Sequence, residues 1–238
     1  YGSDSVSVIS SSTNQVIATI HLGIAPLDLA YDPSNGYIYV TNCGYDTVSV
    51  INPLTNKIVT NIQVGTSLGY IIYDPTNGYI YVASYYSDNV LVINPSTNKV
   101  IATIKVGEYP CGITYDPSNG YIYVANSGCC YVSVINPSTN SVIDTIKVGL
   151  LPVGITYDPS NGYIYVTDSG CCNVSIINPS TNQVIGKIPV ERYPYGITYD
   201  PSNGYIYVTS YFCNTVSVIN PSTNQVICTI TVGKRPIY

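Results

Sequence analysis

Hydrophobic positions along the chain come in short runs of about five to eight residues, rich in Ile, Val, Tyr and Thr and separated by polar turns. Four such runs occur, and the same pattern begins again 42 residues later. In the second repeat they cover roughly 27–31, 37–42, 47–52 and 57–64. β-branched and aromatic side chains suit a pleated surface, so each run predicts a β-strand. In the second run Tyr37 and Tyr39 face one way and Ile38 and Val40 the other. A strand open to water on one side would carry polar residues there, so these strands are expected to be covered on both faces.

The turns between the runs carry their own mechanism. The stretch Tyr31-Asp-Pro-Ser-Asn-Gly36 returns at Tyr73, Tyr115, Tyr157 and Tyr199, with Thr76 its one departure, and each copy is followed by Tyr-Ile-Tyr-Val. Pro presets φ, Asp bonds nearby backbone N–H groups, and Asn-Gly supplies positive-φ positions. Asn-Pro-Ser-Thr-Asn does the same work between the third and fourth strands at 94, 136, 178 and 220, with variants at 52–56 and 10–14. Four strands per repeat of this length predict an all-β fold, a β-propeller of 42-residue four-stranded blades, six in number with one incomplete in this chain.

Tyr39-Val-Thr-Asn42, with Tyr-Val-Thr-Asp at 165–168 and Tyr-Val-Thr-Ser at 207–210, resembles the YVTN β-propeller repeat family, found in archaeal surface-layer proteins and some secreted bacterial propellers. The resemblance runs through the whole chain and implies the propeller fold. It implies little about chemistry, since propellers host many unrelated activities.

A single domain is expected over 1–238: a half blade at 1–22, full blades at 23–64, 65–106, 107–148, 149–190 and 191–232, and the start of a further strand at 233–238. Tyr1 aligns with Cys43, so one blade lacks most of its first hairpin. A fragment of a longer chain, a short sixth blade, or a hairpin donated by another chain would each account for this. The chain has no Met and begins with Tyr, as expected of a processed or excised product.

Charged residues make up 9% of the chain, against about a quarter in ordinary soluble proteins. The net charge of −5 argues against a nucleic-acid partner, which needs clustered Lys and Arg. No apolar run reaches the roughly 18 residues of a membrane-spanning helix. Eight Cys point to an oxidising, extracellular or cell-surface setting.

Repeats within one chain can be compared with one another. In a propeller, the turns after the first and third strands share one end of every blade, and the loops after the second and fourth share the other. The first end is nearly constant; the second varies, and function is usually placed on such loops. The variable-end binding candidates are Tyr45, Asp46, Tyr85, Tyr86, Asp88, Tyr131, Asp168, Tyr211 and Phe212. Cys43, Cys111, Cys129, Cys130, Cys171, Cys172 and Cys213 map to the same end and are disulfide candidates, for example Cys111 with Cys129, Cys130 with Cys171, and Cys172 with Cys213. A strained ring between adjacent Cys and a zinc site built from four Cys are the rivals, the latter lacking the usual spacing. Cys228 lies near the opposite end and is the candidate for a bond between chains. Asn173-Val-Ser175 is a possible glycosylation sequon.

No catalytic constellation emerges. His21, the one histidine, falls on a fourth strand. Propeller enzymes act where the first strands converge; the side chains there are Asp28, Tyr70, Gly112, Gly154 and Gly196, which offer neither a carboxylate ring for a metal nor a nucleophile–base pair. The expectation is therefore a non-enzyme without cofactor or metal: an extracellular structural or assembly protein forming a homo-oligomeric layer or filament, or alternatively a module binding a glycan or protein with its variable loops.

Overall fold

The computed structural model describes residues 4–237, and Tyr85–Ser87 is the one helical turn, of 3-10 type, among them. The expected half blade 1–22 and strand start 233–238 include residues 1–3 and 238, which lie outside the described residues. The chain divides into two compact units, Tyr1–Ile104 and Lys105–Tyr238.

In the first unit, β1 (Ser5–Ser10) and β2 (Gln15–His21) form a two-stranded sheet. β3 (Pro26–Asp32), β4 (Tyr37–Asn42), β5 (Thr47–Asn52) and β6 (Lys57–Gln63) form a four-stranded one. The next sheet holds β7 (Leu68–Asp74), β8 (Tyr79–Ser84), β9 (Asn89–Asn94) and β10 (Lys99–Lys105), whose last residue falls past the boundary.

The second unit repeats the plan three times. β11 (Pro110–Asp116), β12 (Tyr121–Asn126), β13 (Tyr131–Asn136) and β14 (Ser141–Lys147) form its first sheet. β15 (Pro152–Asp158), β16 (Tyr163–Asp168), β17 (Asn173–Asn178) and β18 (Gln183–Pro189) form the second. β19 (Pro194–Asp200), β20 (Tyr205–Ser210), β21 (Thr215–Asn220) and β22 (Gln225–Thr231) form the third. Strand order follows chain order in every sheet, and the observed strands of the second repeat lie within a residue or two of the expected runs.

The constant turn is held by every polar side chain it contains. In the copy at 158–162, Asp158 Oδ1 accepts hydrogen bonds from the Ser160 amide (2.8 Å) and hydroxyl (2.6 Å). Asn161 Oδ1 accepts from the Tyr163 amide at 2.8 Å, and Asn161 Nδ2 donates to the buried Tyr165 hydroxyl at 2.9 Å. Gly162 takes φ of +75°, which a Cβ would disfavour. The repeated string therefore both turns the chain and satisfies the hydroxyl that the following strand buries. That burial pushes the Tyr81, Tyr123 and Tyr165 hydroxyls up to about 12.

Large apolar residues from both faces of the sheets build the core. In the second unit Tyr123, Val132, Val134 and Ile146 pack with Ile155, Ile164, Val166 and Ile177 of the following sheet. Each such side chain contributes about 1.5–3 kcal/mol by leaving water. First strands approach so closely that a Cβ on Gly154 would run into the Tyr195 carbonyl, and one on Gly112 into that of Val153. The ladder slips between Pro152 and Ile155, and the freed Gly154 amide donates to Thr167 Oγ1 at 2.8 Å. In the first unit Asp28 and Tyr70 occupy the glycine position. Asp28 accepts from the Ile71 amide at 2.9 Å, and burial raises its pKa.

Candidate interaction surface

Loops after the second and fourth strands meet at one end of each sheet and are tied together by backbone hydrogen bonds. In the last sheet the Tyr211 amide donates to the Tyr193 carbonyl at 3.1 Å, and the Val232 amide to that of Asn214 at 2.8 Å. Each of these loops contains a left-handed residue. After the second strands these are Asp46, Asp88, Cys130, Cys172 and Asn214 (φ 53–58°); after the fourth, Ser67, Tyr109, Leu151, Tyr193 and Arg235 (φ 51–55°), with Ala25 at 55°. Asp and Asn tolerate this conformation; Leu, Tyr and Cys carry a Cβ penalty.

Where the side chain allows, the seat is a clamp as well. Asp46 Oδ1 accepts from the Ser67 amide at 2.9 Å, and Asn214 Oδ1 from the Arg235 amide at 2.9 Å. Cys130 and Cys172 occupy that seat, and the residue before each engages the opposite loop instead: the Glu108 amide lies 3.0 Å from the Cys129 sulfur and the Leu150 amide 3.2 Å from that of Cys171.

All eight cysteines are free thiols in this structure, and the candidate pairs Cys111–Cys129, Cys130–Cys171 and Cys172–Cys213 carry no bridge in it. The sulfurs are turned toward partners of their own sheet or of the adjoining strand: Cys111 toward Ser127 Oγ (3.7 Å), Cys213 toward the Arg192 carbonyl (3.7 Å), and Cys43 toward the Leu68 carbonyl (2.8 Å). Burial pushes the Cys43 and Cys111 thiols up to about 11. Cys228, on β22, is exposed.

The remaining candidates divide into two groups. Asp168 is fully buried, accepting from Ser175 Oγ (2.6 Å) and the Gly149 amide (2.9 Å), and burial raises its pKa. It is a structural clamp, as are Asn42 and Asn126 at the same place in other repeats. Asn173 begins β17 and donates to the Cys171 carbonyl at 3.2 Å. Tyr131, partly buried, starts β13 beside the Cys129 thiol, which hydrogen-bonds its hydroxyl and raises its pKa. Asp88 ends the 3-10 turn of Tyr85 and Tyr86. By contrast Tyr45, Tyr86 and Phe212 are exposed.

The structure draws two of the candidate rings, Tyr211 and Phe212, together with Tyr193 and Tyr195 at the loop end of the last sheet. Phe212 stands edge-to-face against Tyr193 (4.7 Å, 84°) and Tyr211 (4.9 Å, 86°). Tyr195 lies 6.3 Å from Tyr211, and the Arg235 guanidinium stands 5.9 Å from the Tyr211 ring centre. Tyr193, Tyr195 and Arg235 were not candidates from the loop after the second strand alone; the repeat spacing that aligns Tyr193 with Arg235 was the available signal. Among the described residues, no group of three or more His, Cys, Asp or Glu side chains converges as a metal site would require, and no helix is long and apolar enough to cross a membrane.

Comparison with known proteins places the fold. No family model and no curated protein matches the sequence. Among solved structures, the chain is similar to Kuenenia stuttgartiensis hydrazine synthase, with a TM-score of 0.85 at 19% identity, covering 98% of this chain and 82% of that one. It is also similar to a functionally unknown protein from Desulfotomaculum acetoxidans, with a TM-score of 0.84 at 18% identity, covering 99% of this chain and 80% of that one. At such identities the likeness concerns the fold alone, and the fold is all-β and propeller-like.

Proposed function

We propose that the chain is a β-propeller whose six sheets are its blades, the pair β1–β2 being the incomplete one, and that it works as a structural protein at a cell surface by associating with copies of itself into a layer or filament. The YVTN-type repeat supports the setting. The observation that carries self-association is a stripe on the fourth strands. Ile17, Val59, Ile101, Ile143, Ile185 and Ile227 occupy one repeat position, and each is between 45% and 63% exposed. These strands are sheet edges, and an exposed edge with β-branched residues is a template for pairing with another chain.

Five lysines (Lys57, Lys99, Lys105, Lys147 and Lys187) lie on the same strands, and edge lysines restrain uncontrolled pairing. Association is thus weak per contact and strengthened by salt, which screens lysine from lysine. Sedimentation velocity over a concentration series tests this. The wild type should shift to larger species with concentration and salt, and the triple variant Ile101→Lys, Ile143→Lys, Ile185→Lys should remain a monomer. A wild type that stays monomeric throughout would reject the reading. The exposed aromatic loops favour a second reading, a binding module, which one site supports in particular.

A further inference from the structure

We infer that the loop end of the sheet β19–β22 is a binding site for a carboxylate-bearing polysaccharide. This goes beyond self-association and stands independently of it. Phe212 is the chain's one phenylalanine, and Arg192 and Arg235 are its two arginines; all three fall in these loops. Phe212 is 59% exposed, yet Tyr193 and Tyr211 both stand against its ring, at 4.7 and 4.9 Å and nearly perpendicular to it. The loops beneath are fixed by the Tyr211–Tyr193 and Arg235–Asn214 hydrogen bonds. A flat apolar ring is thus presented to solvent on a braced platform, and that rigidity lowers the ordering cost of binding.

The ligand class follows from what surrounds the ring. A pyranose offers an apolar C–H face for stacking, and its ring oxygens suit tyrosine hydroxyls and guanidinium N–H groups. Arg192, Lys234 and Arg235 are exposed in these loops beside one acid, Glu191, so the local charge is positive on a chain whose net charge is −5. Arginine presents paired N–H donors that match a carboxylate. An open platform suits successive units of a polymer, since small ligands favour concave pockets that enclose them. Single-stranded nucleic acid also stacks on aromatic rings, but it needs a track of cations along the backbone, and three cations with an acid among them do not make one. The Tyr85–Tyr86 pair of the first unit, at 5.1 Å and 79°, has no arginine in its loops and serves as the internal control.

Affinity electrophoresis of the full chain tests the assignment, with polygalacturonate as probe and its methyl ester, dextran and oligothymidylate as comparisons. Retardation by polygalacturonate over the other three is expected. Phe212→Ala should weaken it about tenfold, the scale of a lost aromatic contact of roughly 1.4 kcal/mol. Arg235→Gln should erase the preference for the free acid over the ester, and Tyr86→Ala should change nothing. Unaltered thermal melting of Phe212→Ala and Arg235→Gln confirms that both remain folded, as their exposure predicts. No retardation by polygalacturonate, equal retardation by the ester or dextran, a preference for oligothymidylate, or retention of binding by folded Phe212→Ala would each overturn the inference.

Discussion

The two ends of each sheet solve the same geometric problem with different residues. Both need left-handed backbone to reverse the chain. At the constant end the seats belong to Gly and Asn: Gly36, Gly78, Gly120, Gly162 and Gly204 at φ of 75–76°, and Asn56, Asn98, Asn140, Asn182 and Asn224 at 50–53°. At the variable end some equivalent seats hold Asp46, Asp88 and Asn214, but others hold Leu151, Tyr109, Tyr193, Arg235, Cys130 and Cys172. The constant end has settled on residues that cost least, whereas the variable end accepts backbone strain and displays larger side chains. The first end keeps the fold; the second is free to carry recognition.

The thiols give the largest expected contrast between the ends. Only the thiolate alkylates, so Cys43 and Cys111, pushed up to about 11, should react with iodoacetamide at pH 8 more than a hundredfold more slowly than an ordinary exposed thiol. Cys228, exposed toward the constant end, should label first in timed mass spectrometry. Labelling of Cys111 as fast as Cys228 would mean that the variable end opens to solvent and leaves its thiols unburied.

Next in size is the turn itself. Asp158→Ala strands the Ser160 amide and hydroxyl and should cost about 2 kcal/mol in urea unfolding. The truncation Leu150→Ala at the other end, on an exposed side chain, should stay within about 0.5 kcal/mol. Equal effects would erase the distinction between the ends.

Asp168 sharpens it through pH. Burial raises its carboxyl pKa, so the folded state holds the proton more tightly than the unfolded chain. Stability from this group is fully present below the unfolded value of about 3.9 and is lost as pH rises through the raised folded value. Asp168→Asn installs the residue found at Asn42 and Asn126, with their contacts, and removes that loss. The variant should exceed wild type in stability at pH 7, with the advantage vanishing toward pH 4. An advantage independent of pH would show that ionisation is not the cause.

The smallest effect tests the strain directly. Leu151→Asn places an amide side chain in a left-handed seat at φ of 51° and should stabilise by about 0.5–1 kcal/mol by thermal melting. A loss of stability would show that Leu151 packs in a way that outweighs its backbone.

Much of the fold was legible because each repeat writes the same physics several times. The Asp-Pro-Ser-Asn-Gly string fixed the turn, and two-sided apolar strands called for cover on both faces, as the packing in each unit has it. The slips in the ladder were not legible: nothing local says that Pro152 to Ile155 leaves the pairing, or that Thr167 then receives the Gly154 amide, since the cause is the neighbouring first strand. At the candidate surface, alignment of the repeats placed the cysteines at one end but not their sulfur directions, which the left-handed seats at Cys130 and Cys172 help to determine. It placed Tyr211 and Phe212 as well, but not Tyr193 and Arg235 beside them, which come from other loops.

The central claim, association through the fourth strands, is most directly read by amide hydrogen exchange of dilute and concentrated protein. Peptides covering β10, β14 and β18 should exchange more slowly at high concentration, while those covering β8, β12 and β16 stay unchanged. Identical exchange of the fourth strands at both concentrations, in a sample that sedimentation shows to be associated, would contradict the account and place the contact elsewhere on the chain.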